Sequence, residues 1–450
     1  MSEVRNFGAA GDGRQDDTEA IIHAIENGEG QVTFTRGVYR ITRTIDIDLD
    51  RFGPISLDGC GGTARIVMAG QGPAFRLIGK HTGTGNPKTV QPRIKNVQRM
   101  PTIQEIEIVG ENPQADGIEL VGTMQPTLAG VLIHDVRHGI RMTGRNRNVL
   151  ITHCHVYYNT GVGIYMDELN LHQINIIGCH ISYNRLGGIR IEKSEIRNLQ
   201  ITGNDIEYNN QRVHETEPEI TAEIYIDTTT PKASVAEVTI VSNTIQATHS
   251  AGGCNIRILG SPDVGYRPNL ITISGNIIGS QENNVHLTEC HGIVISGNCI
   301  YSGGNRNLLI EKCTLTTIGT NSFRRHTPAA NAGVRLVDST DTTIQGCTFI
   351  DESAEGQATG ASLLELENCQ RAQITGCQFV NGVPCGIDVV NGRQISITSC
   401  TVTDTREKPL GQAAIRFRGE GADNRVALNT LSYPGGKALD VAEGAGVNNG

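Results

Sequence analysis

Four carboxylates, Asp167, Glu192, Glu223 and Asp227, fall in the middle of the chain at spacings that follow an internal repeat. Tyr165, Arg190, Tyr225, Arg257 and His286 occupy matching places in the same repeat. Paired carboxylates can cleave an acetal: one protonates the leaving oxygen while the other serves as nucleophile or base, at separations of about 5 Å or roughly 6.5–9.5 Å. A neighbouring carboxylate raises one partner's pKa, and an arginine keeps the other ionised. Arginine also suits the carboxylate or sulfate groups of a substrate. The same residues allow a different chemistry. A Tyr, His or Arg could remove a proton next to a substrate carboxylate, with Ca²⁺ on Asp167, Glu192 and Asp227 neutralising that carboxylate. They also allow no chemistry at all, because charged side chains on a solvated sheet pair sideways and simply hold strands together. His155, His180 and Asp205 form a second constellation, either a metal-ligand set or a polar ladder.

These residues can meet only if the chain stacks. Residues 154–170 read CHVYYNTGVGIYMDELN and residues 179–195 read CHISYNRLGGIRIEKSE. The unit continues through ITGNDIEYNN, VSNTIQA, ISGNIIGS, ISGNCIYS, IGTNSFRR, IQGCTFID, ITGCQFVN and ITSCTVTD. Short alternating segments punctuated by Gly and Asn specify strands, and one such unit buries its apolar face only against the next. One slot holds Cys154, Cys179, Asn204, Asn243, Asn276, Asn298, Asn321, Cys347, Cys377, Cys400 and Asn429. An inward Asn there bonds its copies above and below, and a small buried Cys fills the same space. The cysteines therefore read as structural thiols, and Tyr158, Tyr183 and Tyr208 as an aromatic stack. In the second strand of each unit the apolar pairs face inward, Ile164/Met166, Ile189/Ile191 and Ile224/Ile226 among them. That sends Tyr165, Arg190, Tyr225, Arg257 and His286 outward as one file and Asp167, Glu192 and Asp227 as the next. Glu223 falls in a neighbouring column with Gly117, Gly139, Gly163 and Gly188.

Composition agrees with a repetitive chain. Of 450 residues, 38% are apolar and 19% charged, with 54 Gly, no Trp and a net charge of −9. The acidic balance and the lack of any Lys/Arg block argue against a nucleic-acid partner, and no apolar run is long enough to span a membrane. The opening Met1-Ser2-Glu3-Val4-Arg5 does not look like a signal peptide. Localisation stays open: secreted or periplasmic if a leader was removed, otherwise cytoplasmic. Asp16-Asp17-Thr18-Glu19 followed by AIIHAIENG predicts a capped amphipathic helix that covers the end of the stack. QVTFTRGVYRI reads as a strand pair around Arg36-Gly37, and residues 81–101 as a polar surface loop.

The string VRNFGAAGDGRQDDTEAI…GQVTFTRGVYRI, with the coil repeats behind it, resembles the pectate-lyase-like right-handed parallel β-helix proteins, which include polysaccharide hydrolases and lyases, inulin fructotransferases and tailspikes. The resemblance implies an all-β, single-stranded right-handed parallel β-helix. We expect about 12–13 coils in one domain over residues 1–450, with a cap region at 1–45 and regular coils at 103–440. It also implies a poly- or oligosaccharide partner and a homotrimer. No catalytic residue carries over, because the polygalacturonase and alginate-epimerase motifs are missing. The residues themselves thus favour a glycoside hydrolase or transglycosylase without cofactor, with a Ca²⁺-dependent lyase and a non-catalytic glycan binder as the alternatives.

Overall fold

A computed structural model describes residues 1–210, 220–263, 266–326, 333–352 and 361–449. The chain is a parallel β-solenoid built almost wholly of short strands. It divides into two compact units, Met1–Glu217 with Thr221–Val238, and Pro218–Ile220 with Thr239–Gly450. Among the described residues, one sheet contributes a single strand per turn and holds 16 strands, so the solenoid has about 16 turns. The expected 12–13 was too few because the winding starts well before residue 103. Asp12–Asp16 pairs in parallel with Gly37–Ile41, which pairs with Ala64–Met68, and that strand in turn with Ile106–Gly110. These first turns lack the Asn/Cys slot, so the repeat search did not register them. Gln31–Thr33 and Gly37–Ile41 do not form a hairpin; each pairs with the following turn instead.

Inward apolar files hold the first unit together. Ile118, Ile140, Ile164, Ile189 and Ile224 are partners in strict register, as are Leu120, Met142, Met166, Ile191 and Ile226, and all ten are fully buried. The parallel pairing stacks apolar side chains of similar size from turn to turn, about 4.8 Å apart. At the corners, polar ladders satisfy the bending backbone. Asn204 accepts from the Cys179 amide at 2.9 Å and donates to the Ile176 carbonyl at 3.1 Å. In the second unit Asn243, Asn276, Asn298 and Asn321 repeat the pattern, the oxygens of the last three each accepting from the amide and side chain of the Asn on the turn before. The cysteines of this slot are buried, and Cys154 donates its thiol to the Thr152 carbonyl at 3.3 Å. Ten of the 12 free thiols are buried, Cys299 is half-buried and Cys60 exposed. A thiol reagent should therefore modify Cys60 first in the native protein and Cys299 more slowly, and reach the buried ten only after denaturation. Rapid native labelling of all of them would contradict the ladder.

Tyr158, Tyr183 and Tyr208 stack as expected, with ring centroids 4.9 and 5.6 Å apart. A helix spans Thr18–Asn27 and buries Ile21, Ala24 and Ile25 against the Val4–Phe7 turn and the first strands. Asp16 accepts from the Thr18 amide at 3.0 Å, while the Asp17 carboxylate ties down the amides of Ala10 and Gly11 at 2.7 and 3.1 Å. Residues 81–101 are more ordered than a plain loop, carrying a short turn at Pro87–Thr89 and a helix at Pro92–Val97. Among the described residues no helix is long and apolar enough to cross a membrane.

Candidate functional site

In the first unit, the strands Ala115–Val121, Ile140–Thr152, Ile164–Ile177, Ile189–Glu192 and Ala222–Asp227 lie side by side. Their register aligns Glu119, Arg141, Tyr165, Arg190 and Tyr225 in one file, with Asp167, Glu192 and Asp227 in the next. The register thus brings six of the nine sequence-predicted residues onto three adjacent turns. Arg257 and His286 are register partners in the second unit. There, Arg257 donates to the Gly252 carbonyl at 2.8 Å, and His286 Nε2 lies 2.7 Å from Glu311. That hydrogen bond holds the Glu311 carboxyl below the usual carboxylate range.

Glu223, the remaining residue, does not reach the wall. It is fully buried, and its two oxygens accept from the Asn209 amide at 2.9 and 3.1 Å and from the Asn209 side chain. Burial pushes its carboxyl well up from the ordinary value. Glu223 therefore ends an interior ladder, Asn159–Asn184–Asn209, whose amides bond in series at 2.8 and 2.7 Å. The glycines of its column show why. A Cβ on Gly163 or Gly188 would lie 2.8 or 2.9 Å from the Asn184 or Asn209 amide nitrogen, so this column faces inward at a corner. Asn255, Asn284 and Asn307 form the equivalent ladder in the second unit.

The remaining carboxylates differ in their engagement. Asp227 Oδ1 accepts from the Thr229 amide and hydroxyl at 2.8 and 2.7 Å, which commits that oxygen to a turn. Glu192 accepts from the Tyr165 hydroxyl at 2.9 Å and from Arg190 at 2.7 Å. Arg190 also lies over the Tyr225 ring, 4.7 Å from its centroid, a cation–π contact that leaves Tyr225 only 6% exposed. Asp167 pairs with Arg141 at 3.0 Å, and Lys193 stands 3.7 Å away. Its Oδ1 is buried and has no hydrogen-bond partner, although Asp167 is only 9% exposed. Such an oxygen is costly unless something else uses it. The wall is therefore more covered than alternation alone suggests, since lateral Arg pairs knit it from Asp46 through Arg76, Glu119 and Arg141 to Asp167.

His138, which the sequence reading did not single out, completes the cluster. Its ring packs on Tyr165 at 5.1 Å, and its Nδ1 accepts from the Val162 amide at 3.2 Å. Its only sequence signal was its place just before the glycine column. Burial lowers its pKa to about 4, helped by Arg137 and Arg141. A depressed histidine pKa favours the fold above the unfolded value near 6.5, and that contribution is lost as pH falls towards 4, by about 2–3 kcal/mol. NMR titration should find the His138 ring neutral at pH 5.5; half-protonation near 6.5 would contradict this environment.

The second constellation is a ladder. His155 and His180 stack at 5.0 Å, and His180 Nδ1 lies 3.6 Å from Asp205. Among the described residues no three His, Cys, Asp or Glu side chains converge as a metal site, and that includes the Asp167, Glu192 and Asp227 set.

A model described as the right-handed β-helix region matches residues 94–261 and 224–431. No curated protein matches significantly. Among solved structures, the chain is similar to the tailspike gp61 of Pseudomonas phage phi297, at 12% identity and a TM-score of 0.51, covering all of this chain and 83% of that one. It is also similar to tailspike protein 3 of bacteriophage CBA120, at 13% identity and a TM-score of 0.47; the chain is covered fully but spans only 61% of that protein. A third is the catalytic unit of a GH87 α-1,3-glucanase from Streptomyces thermodiastaticus, at 15% identity and a TM-score of 0.44, covering all of this chain and 68% of that one. The matched region takes in most of the turns described above, and the chain belongs to the right-handed β-helix family.

Proposed function

We propose that the chain acts on a poly- or oligosaccharide and cleaves its glycosidic bonds at Asp167 and Glu192, as a hydrolase or transglycosylase. One observation carries this reading. Asp167 and Glu192 are register partners on adjacent turns, and Asp167 Oδ1 makes no hydrogen bond, facing only the Lys193 ammonium at 3.7 Å. Strand neighbours about 4.8 Å apart suit a retaining pair, whose carboxyl groups stand about 5 Å apart. In this arrangement Tyr165 and Arg190 position Glu192, while Asp167, held by Arg141 at 3.0 Å and facing Lys193 at 3.7 Å, is the partner carboxylate. Arg141 and Lys193 supply positive charge for an acidic sugar. Incubating the protein with acidic and neutral polysaccharides and weighing the products by mass spectrometry tests the reading. Shortened chains that gain one water, or an acceptor sugar, per cleavage support it. Unsaturated chain ends would replace it with elimination, and binding without shortened chains would replace it with a non-catalytic role.

A further inference from the structure

Away from this wall, the same long strands of the first unit form a second concave surface. The strands Ile140–Thr152 and Ile164–Ile177 continue past a bend and pair there with Glu195–Thr202. A cleft of about 350 Å³ lies on them, lined by Asn148, Gln173, Asn175, Asn198 and Gln200 with no charged group. It shares Asn148 with a cleft of about 420 Å³ under the helix Pro92–Val97, where Lys95, Arg99 and Arg147 stand without a carboxylate among the lining residues. The overhang is fixed in place. Arg147 donates to the carbonyls of Thr84 and Gly85 at 2.6 and 2.8 Å, and a Cβ on Gly85 would strike the His172 ring at 2.7 Å.

The amides are not the easiest residues to place there. Gln125, Asn148, Gln173 and Asn198 turn the same corner on successive turns with φ of 55°, 53°, 68° and 57°. That region disfavours side-chain-bearing residues, glutamine more than asparagine. At another corner Gly178 and Gly203 bend the chain with φ of 64° and 65°. Corners elsewhere hold other side chains in the same region, Leu270, Leu315, Asp341 and Arg371 among them, so what distinguishes this corner is its run of four amides on successive turns.

We propose that this trough binds an anionic oligosaccharide. The stacked amides would donate to and accept from sugar hydroxyls along the chain, and Lys95 and Arg99 would take a carboxylate or sulfate at one end. Amides serve hydroxyls because each offers both a donor and an acceptor, and cations without a competing carboxylate select the charge. The inference goes beyond the cleavage reading and stands whether or not the wall cleaves.

Binding of fluorescent oligogalacturonate, dextran sulfate oligomers and plain dextran oligomers to the full chain tests it. The triple variant Gln173→Ala, Asn175→Ala, Gln200→Ala should weaken binding of the anionic oligomers at least tenfold. Lys95→Glu with Arg99→Glu should do the same for the anionic oligomers and leave dextran unaffected. Asp167→Asn should leave trough binding unchanged. The substituted side chains of the triple variant are exposed, so an unchanged melting temperature identifies a folded variant. The proposal is overturned if no oligomer binds, if the trough variants bind like the wild type, or if only Asp167→Asn abolishes binding. The last outcome would place the glycan on the wall and leave the cleavage reading intact.

Discussion

Asp167→Asn and Glu192→Gln should each lower kcat on a cleaved glycan by about 10²–10⁴-fold, the range expected when a positioned acid or base is lost. The two substitutions keep shape and remove charge, so the wall should survive them. Arg141 retains Glu119 at 3.2 Å when Asp167 is neutralised, and a glutamine at 192 can accept from Arg190 through its carbonyl oxygen and donate its NH2 to the Tyr165 hydroxyl oxygen. The double variant should cost little more than the worse single variant, because groups that act as a unit are not additive. Asp227→Asn supplies the contrast. Its Oδ1 is already spent on Thr229, and asparagine can make the same turn, so activity should stay within about threefold. Steady-state kinetics on one substrate separates these cases. Equal losses at all three positions would mean general damage to the wall, and no loss at Asp167 or Glu192 would remove them from the chemistry.

The largest stability effect is expected inside the turns, at Asn184. This side chain is fully buried; its oxygen accepts from Asn159 at 2.8 Å, and its nitrogen donates to the Val156 carbonyl at 3.1 Å and to Asn209 at 2.7 Å. Alanine would strand the Asn159 side-chain amide and the Val156 carbonyl, while Asn209 Oδ1 keeps the Asn184 backbone amide at 3.0 Å. Each orphaned buried group costs roughly 1–3 kcal/mol, so Asn184→Ala should cost about 2–6 kcal/mol. Asp205→Ala, on a partly exposed face where His180 is 3.6 Å away, should change stability by less than about 1 kcal/mol. Chemical denaturation of the two variants measures the difference. A loss below about 1 kcal/mol for Asn184→Ala would mean that the ladder is not holding the corner.

How far the sequence could be read follows from the same physics. The spacing of 25 residues between Cys154 and Cys179, repeated in Tyr158 and Tyr183, exposed the winding because a parallel stack repeats its side chains in register. The alternation that assigns Ile189 and Ile191 to the interior and Arg190 to the wall held along the strand. It failed one residue outside it. By parity Gly188 and Glu223 face outward with Arg190 and Tyr225, but the chain bends at that point and the period of two ends, so Glu223 turns inward to Asn209. The interior ladder Asn159–Asn184–Asn209 was legible in principle, since an Asn follows each stacked tyrosine. The diagonal from Arg141 to Asp167 was not, because register places Tyr165 opposite Arg141 and only the reach of the arginine side chain carries it two residues further to Asp167. His138 carried no pattern of its own, and only packing against Tyr165 brings it into the cluster.

The most direct test of the glycan-cleaving wall is turnover of a cleaved polysaccharide in H₂¹⁸O, with the reducing ends analysed by mass spectrometry. The paired-carboxylate account predicts one heavy oxygen at each new reducing end, or an end carried by an acceptor sugar, and neither product from Asp167→Asn at matched times. New ends that contain a double bond and no solvent oxygen, or wild-type rates from Asp167→Asn, would contradict it.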